Sequence, residues 1–181
     1  VDGAVTYENP YALSLGYLVS DNAAAAALDG TNPFERQNEF ASALVGHEVE
    51  LFRPAEATQV PSGDGLLAWD VSVPAGCVGY AYVNTPLDYE DGVVMDVDGT
   101  SEVDGWQWQN ALWPFAEVEG EGGSMHRVTV GVNASGGDPV PLAEASCDFY
   151  CLDLATLRDV VGELFGGQVS FDSFGGDGIL G

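Results

Sequence analysis

The chain contains no lysine. Its only permanent cations are four arginines, set against 29 carboxylates, and the formal charge is −25 over 181 residues. A field of that sign repels phosphate backbones and anionic lipid headgroups, so nucleic acid is excluded as a partner. Long apolar runs are lacking as well. Nothing approaches the roughly 18 residues of a membrane-spanning helix, and the alanine block at 23–27 is far shorter. No basic segment followed by an apolar stretch marks a signal peptide. Cysteine is scarce, with residues only at 77, 147 and 151. Read as a strand, "CDFYC" holds Cys147 and Cys151 too far apart to bridge. A link from Cys77 to either stays open, and three thiols without a histidine nearby in sequence make a poor zinc set. The default is that they serve as small buried apolar side chains. Also lacking are a P-loop, a dinucleotide-binding fingerprint, a metal-binding histidine pair and a nucleophile triad. His47 and His126 stand beside no catalytic signature, and "GGSMHRV" does not have the nucleophile-elbow pattern.

What is present argues for a folded β protein. Apolar residues make up 46% of the chain, with four tryptophans and eight phenylalanines, enough for a core that removes roughly 70% of the unfolded surface from water. Alternation dominates the pattern. "LLAWDVSVP" sets Leu67, Trp69, Val71 and Val73 on one face of a strand, and "CVGYAYVN" follows after a turn at Pro74–Gly76. "GVVMDVDGTSEVDG" predicts a hairpin turning at Asp98-Gly99. "MHRVTVGVN" points Val128, Val130 and Val132 one way, and "QVSFDSF" predicts a late strand. Short strands at regular spacing, broken by 24 glycines, predict one domain over 1–181: an antiparallel β-sandwich, jelly-roll-like, with two packed helices. The first helix starts at N-cap Asn32, with Pro33 at N1 and Glu35 at N3, and runs to about Val45 before Gly46. Phe34 and Phe40 look like its core anchors. The second follows Asp153, with Leu154, Leu157, Val161 and Leu164 on one stripe, over about 154–165.

Candidate sites are few. Asp88, Glu90, Asp91, Asp96, Asp98, Glu102 and Asp104 form an acidic cluster. Its glycine comes too early for a calcium loop of the EF-hand type, and Val97 and Val103 alternate as strand residues do. A solvated hairpin face is the simpler reading, with Ca2+ between neighbouring loops as the alternative. Paired carboxylates carry no specificity among so many. "WQWQNALWPF" places Trp106 and Trp108 on one face with Gln107 and Gln109 on the other. That arrangement suits sugar recognition, since pyranose C–H faces stack on rings while hydroxyls bond to amides. It suits a half-buried strand equally well.

The order of two longer segments says more. "YENPYALSLGYLVS" (7–20) is followed by "NPFERQNEFASALVG" (32–46). This order resembles the YfhO family of bacterial multi-pass membrane proteins, through Tyr7, Glu8, Asn9, Pro10, Ala12, Leu13, Leu15, Gly16 and Tyr17, then Asn32, Pro33, Phe34, Glu35, Gln37 and Asn38. Ser14 stands where the family has proline. The resemblance implies a parent similar to membrane glycosyltransferases that use a lipid-linked sugar to decorate teichoic acids or related envelope polymers. The present chain would then be an extracytoplasmic accessory domain. It would meet the transmembrane portion and an envelope glycan, with the catalytic carboxylate outside this chain and no cofactor within it. The alternative is a non-catalytic carbohydrate-binding module of a cell-surface protein. Gln37 and Asn38 are expected to pin their helix to neighbouring backbone groups, with a contact to a glycan or to the membrane part of the parent as the alternative.

Overall fold

In a computed structural model, the described residues are 23–63, 66–84, 92–104, 111–133 and 146–164. They fall into two compact units, one reaching up to Val49 and resuming at Thr156, the other Glu50–Ala155.

The second unit is the sandwich. Its strands are β1 (Phe52–Pro54), β2 (Ala57–Val60), β3 (Leu67–Val73), β4 (Cys77–Asn84), β5 (Gly92–Val97), β6 (Thr100–Asp104), β7 (Ala111–Val118), β8 (Ser124–Asn133) and β9 (Ser146–Asp153). One sheet has the order β1-β9-β4-β7 and the other β2-β3-β8-β5-β6. Every pairing is antiparallel. With β2 set aside, these are the two interleaved four-stranded sheets of a jelly roll. The predicted hairpin forms as read: Asp98 and Gly99 have φ of 53° and 85°, the paired left-handed residues of a tight hairpin turn.

Alternation explains why the sheets pack. Val71 and Val73 of β3, Ala81 and Val83 of β4, Met95 of β5 and Val128 and Val130 of β8 are all within 1% of complete burial. Together with Phe115, Phe149 and Cys151 they form one core cluster. Between β1 and β2 the chain crosses from one sheet to the other. Ala55 N–H donates to Phe149 O (2.8 Å) and Glu56 O accepts from Ser72 N–H (2.9 Å), so the crossing is hydrogen-bonded to both sheets.

A bulge shapes the core. Gly79 pairs with Ala116 but Tyr80 pairs with Pro114, leaving Phe115 as the extra residue of β7. Its ring fills the space above Gly79, where an added Cβ would lie 2.6 Å from Phe115 Cζ and 2.8 Å from Val73 Cγ2. Phe115 meets Phe149 edge-on at 6.0 Å, and Phe149 meets Trp69 at 5.4 Å.

In the first unit, α1 spans Pro33–Val45 with Asn32 as N-cap, its side chain accepting from Phe34 and Glu35 N–H, and Gly46 closes the helix at φ 85°. Glu35 reaches one residue further back than a capping box requires, accepting from Thr31 N–H (2.6 Å) and Thr31 Oγ1 (2.7 Å). Those bonds, the hydroxyl first, hold its carboxyl below the usual range. Phe34 is fully buried. Phe40 is not an anchor: it is 47% exposed, because six residues advance a helix by about 600° and carry it well round from Phe34. Gln37 is exposed and Asn38 half-buried. Ser42 ties the end of the helix to the chain beyond it, its hydroxyl donating to Asn38 O (2.8 Å) and accepting from Val49 N–H (2.8 Å). The second helix, α2, spans Leu154–Leu164, and Asp153 caps it by accepting from Ala155 N–H (3.0 Å). Val160 is its buried residue, while the four expected stripe residues are half-buried. The segment 168–174 expected as a strand lies outside the described residues.

Gly79→Ala should destabilise the protein by about 1–3 kcal/mol, the usual cost of overpacking a core. Urea denaturation is the check, and an unchanged midpoint would show that Phe115 is not held against this glycine.

Candidate functional site

The core face of β8 does not end in valine. In the antiparallel register His126 lies opposite Val71 and Ser124 opposite Val73. Directly opposed residues share a face, so both side chains continue the inward row begun by Val130 and Val128. A polar group on such a face must be paired or it costs free energy. Here a chain of hydrogen bonds does the pairing. Ser124 Oγ is 2.6 Å from His126 Nε2, and His126 Nδ1 is 2.8 Å from Asp98 Oδ2. With Nδ1–H donating to the carboxylate, neutral His126 offers Nε2 as acceptor to the serine hydroxyl.

Asp98 is held in place from three directions. Its backbone N–H donates to Arg127 O (2.9 Å), its Oδ1 accepts from Arg127 N–H (2.8 Å), and its Oδ2 accepts from His126 Nδ1–H (2.8 Å). The carboxyl is therefore kept below the usual range, first by the Arg127 N–H, against partial desolvation, and then by His126. The left-handed backbone at Asp98 is what turns its carboxylate back onto β8. Phe115 completes the surroundings, its ring edge-on to the imidazole at 6.2 Å and 71°. The histidine side chain is 20% exposed and that of Asp98 52%, so the constellation sits at a solvent-reached rim of the core. Beside it on β8, Arg127 Nε pairs with Asp70 Oδ1.

A serine, a histidine and a carboxylate linked in this order can activate a hydroxyl as a nucleophile. The sequence showed no nucleophile triad because Asp98 comes from a different hairpin and Ser-x-His matches no known motif. One signal was legible: Ser124 and His126 share the parity of Val128 and Val130, two polar residues on a core-facing row.

A second feature is a cavity of about 460 Å³ lined by Arg53, Glu56, Ser72, Pro74, Cys77 and Cys151 among others. Arg53 Nη2 binds Asp153 Oδ2 at 2.7 Å across its rim. Both thiols are buried and all three cysteines are free. Burial raises the Cys77 thiol, pushes Cys151 to about 11, and with Asp148 pushes Cys147 to about 12. The cavity walls are thus lined by protonated, poorly nucleophilic sulfur.

Other expected residues fare differently. Trp106, Gln107, Trp108 and Gln109 lie outside the described residues, as do Tyr7, Glu8, Asn9 and Pro10. Of the acidic cluster, Asp88, Glu90 and Asp91 are likewise outside, and Asp96 serves the turn, its Oδ1 accepting from Gly99 N–H (2.9 Å). Among the described residues no three His, Cys, Asp or Glu side chains converge as a metal site. No described helix is long and apolar enough to cross a membrane.

Two measurements follow from this chemistry. Asp98 has a depressed carboxyl, so its contribution to stability is present above the unfolded value of about 3.9 and is lost as pH falls through the folded one. Asp98→Asn should therefore lower the urea midpoint at pH 5, with the gap to the parent closing toward pH 3. A gap of constant size over that range would mean the carboxylate charge is irrelevant. For the thiols, an aromatic disulfide reagent at pH 7.5 should modify the folded chain at least about a hundredfold more slowly than the denatured one. Prompt native-state modification mapped to Cys77 or Cys151 would contradict their burial.

Comparison with known proteins adds little. No protein-family model matches the sequence, and no curated protein matches it. Among solved structures the chain is similar to the GH31 alpha-xylosidase from Xanthomonas citri, at 17% identity over 55% of this chain and a TM-score of 0.23. The match spans 13% of that chain's length. A likeness this slight carries no argument about function.

Proposed function

We propose that this jelly roll is an extracytoplasmic accessory module of a YfhO-like multi-pass membrane protein, and that it positions a cell-envelope glycan for its parent. The observation that carries the reading is one of connectivity. Residues 105–110, with Trp106 and Trp108, join β6 to β7, and these are edge strands of the two different sheets. Connections at the rim of a rigid sandwich are where such folds commonly place binding residues. Aromatic rings with alternating amides are the chemistry that sugars require. The order of the two motif segments near residues 7–20 and 32–46 supports the choice of parent.

The charge narrows the ligand. At −25, the surface opposes a polyphosphate main chain, and screening within a Debye length relieves this only in part. The favoured ligand is therefore an uncharged sugar of the envelope polymer.

Titration of the chain with neutral oligosaccharides and with teichoic-acid fragments, with and without calcium, followed by tryptophan fluorescence, tests this. Neutral glycans should bind saturably, and Trp106→Ala or Trp108→Ala should weaken them by about tenfold or more, roughly 1.4 kcal/mol. Failure of every glycan to bind would remove glycan positioning and leave packing against the membrane portion.

A further inference from the structure

We propose that Ser124 and His126, oriented by Asp98, form an acyl-transfer centre that hydrolyses uncharged carboxylic esters at the rim of the sandwich. This goes beyond glycan positioning and does not depend on it. The two contacts in the chain, 2.6 Å from Ser124 Oγ to His126 Nε2 and 2.8 Å from His126 Nδ1 to Asp98 Oδ2, lie within the 2.6–3.2 Å reach of a working nucleophile and base.

The arrangement also serves the fold. The β5–β6 turn is fastened to β8 by the Asp98 N–H, by Asp98 Oδ1 and by the His126 contact, and the Ser124–His126 bond pairs two polar groups on the inward row. That same bond places a hydroxyl against the nitrogen that can act as base. The turn leading into Ser124 is open at Gly120 and Gly122, where a Cβ would meet nothing within 4 Å, and closes onto β3 at Gly123, where a Cβ would lie 2.9 Å from Val73 O. Phe115 stands edge-on to the imidazole, with ring centroids 6.2 Å apart.

Ser124 Oγ attacks the ester carbonyl carbon as its proton passes to His126 Nε2, and Asp98 holds Nδ1–H while the imidazolium forms. Collapse of the tetrahedral adduct breaks the bond to the alkoxide, which takes the proton from Nε2 and leaves as alcohol. The acyl group is now on Ser124. Water then attacks that carbonyl, giving its proton to Nε2. Collapse breaks the acyl–Oγ bond, Oγ recovers the proton, and a carboxylic acid departs. Esters rather than amides fit the site. At a wet rim the stabilisation of developing charge is weak, and an alkoxide is an easier leaving group than an amide nitrogen. The −25 field repels anionic esters, so an uncharged substrate is favoured over an anionic one.

The test uses the full chain with diisopropyl fluorophosphate, which forms a Ser–O–P bond with loss of fluoride, and p-nitrophenyl acetate as the ester. Peptide mapping should locate the phosphoryl adduct on Ser124. Ser124→Ala leaves the Asp98–His126 contact intact, so it should keep its fold, lose the adduct and fall to the acetate hydrolysis of free imidazole. His126→Gln should slow both reactions by about a hundredfold, within the range for loss of a general base. Asp98 is a positioning residue: Asp98→Asn should lower kcat with little change in KM, and Asp98→Glu should restore part of it. The proposal is overturned if the folded chain takes no adduct on Ser124, or if Ser124→Ala hydrolyses the ester as fast as the parent.

Discussion

Everything in the sandwich depends on two apolar sheet faces meeting. The residues that do this are small and branched, mostly valines from β3, β4 and β8, so the faces approach closely and leave little room for error. The aromatic residues enter where the backbone makes space for them. Phe115 reaches the core because a bulge turns it inward and because Gly79 opposite has no side chain. From Phe115 the contacts run to Phe149 and Trp69 on one side and to His126 on the other. The candidate site is thus built on the same interaction that holds the fold.

Charge works against this core. Self-repulsion at −25 favours expansion, and the sandwich must offset it by burial. Among the described residues no charged side chain is buried, so the acidic groups remain where water and counterions screen them. Two of the four arginines are placed where carboxylates are close: Arg53 bonds Asp153 and Arg127 bonds Asp70, each across strands. Such exposed pairs add little stability singly, but they lower the local density of like charge along the strands.

Much of the fold was legible because its signals are local. The hairpin at Asp98-Gly99 could be read from one dipeptide, since few residues accept φ > 0 there. The ends of α1 could be read from Asn32, Pro33 and Gly46, each suited to a terminal backbone geometry. Phe40 misled because hydrophobicity alone does not tell which side of a helix faces inward. Ser42 was overlooked because its partners, Asn38 O and Val49 N–H, are backbone groups brought together by the chain's exit from the helix. The candidate site was half legible: the parity of Ser124 and His126 was on view, but a parity rule gives no reason to look at Asp98.

By itself the sequence determined the strands β3, β4, β5, β6 and β8 and the tight turn, because alternation and backbone preference act over a few residues; the short β1 and β2 carry too few residues to show a period. It also determined the sign of the surface field, which composition sets regardless of fold. Only the tertiary structure decided which strands are neighbours, and with that which side chains meet. The pairing of β3 with β8 puts Ser124 and His126 at the end of a core face. The pairing of β5 with β8 swings the Asp98 turn, 28 residues away along the chain, against that histidine. Register is a property of two strands at once, so no single stretch of sequence contains it.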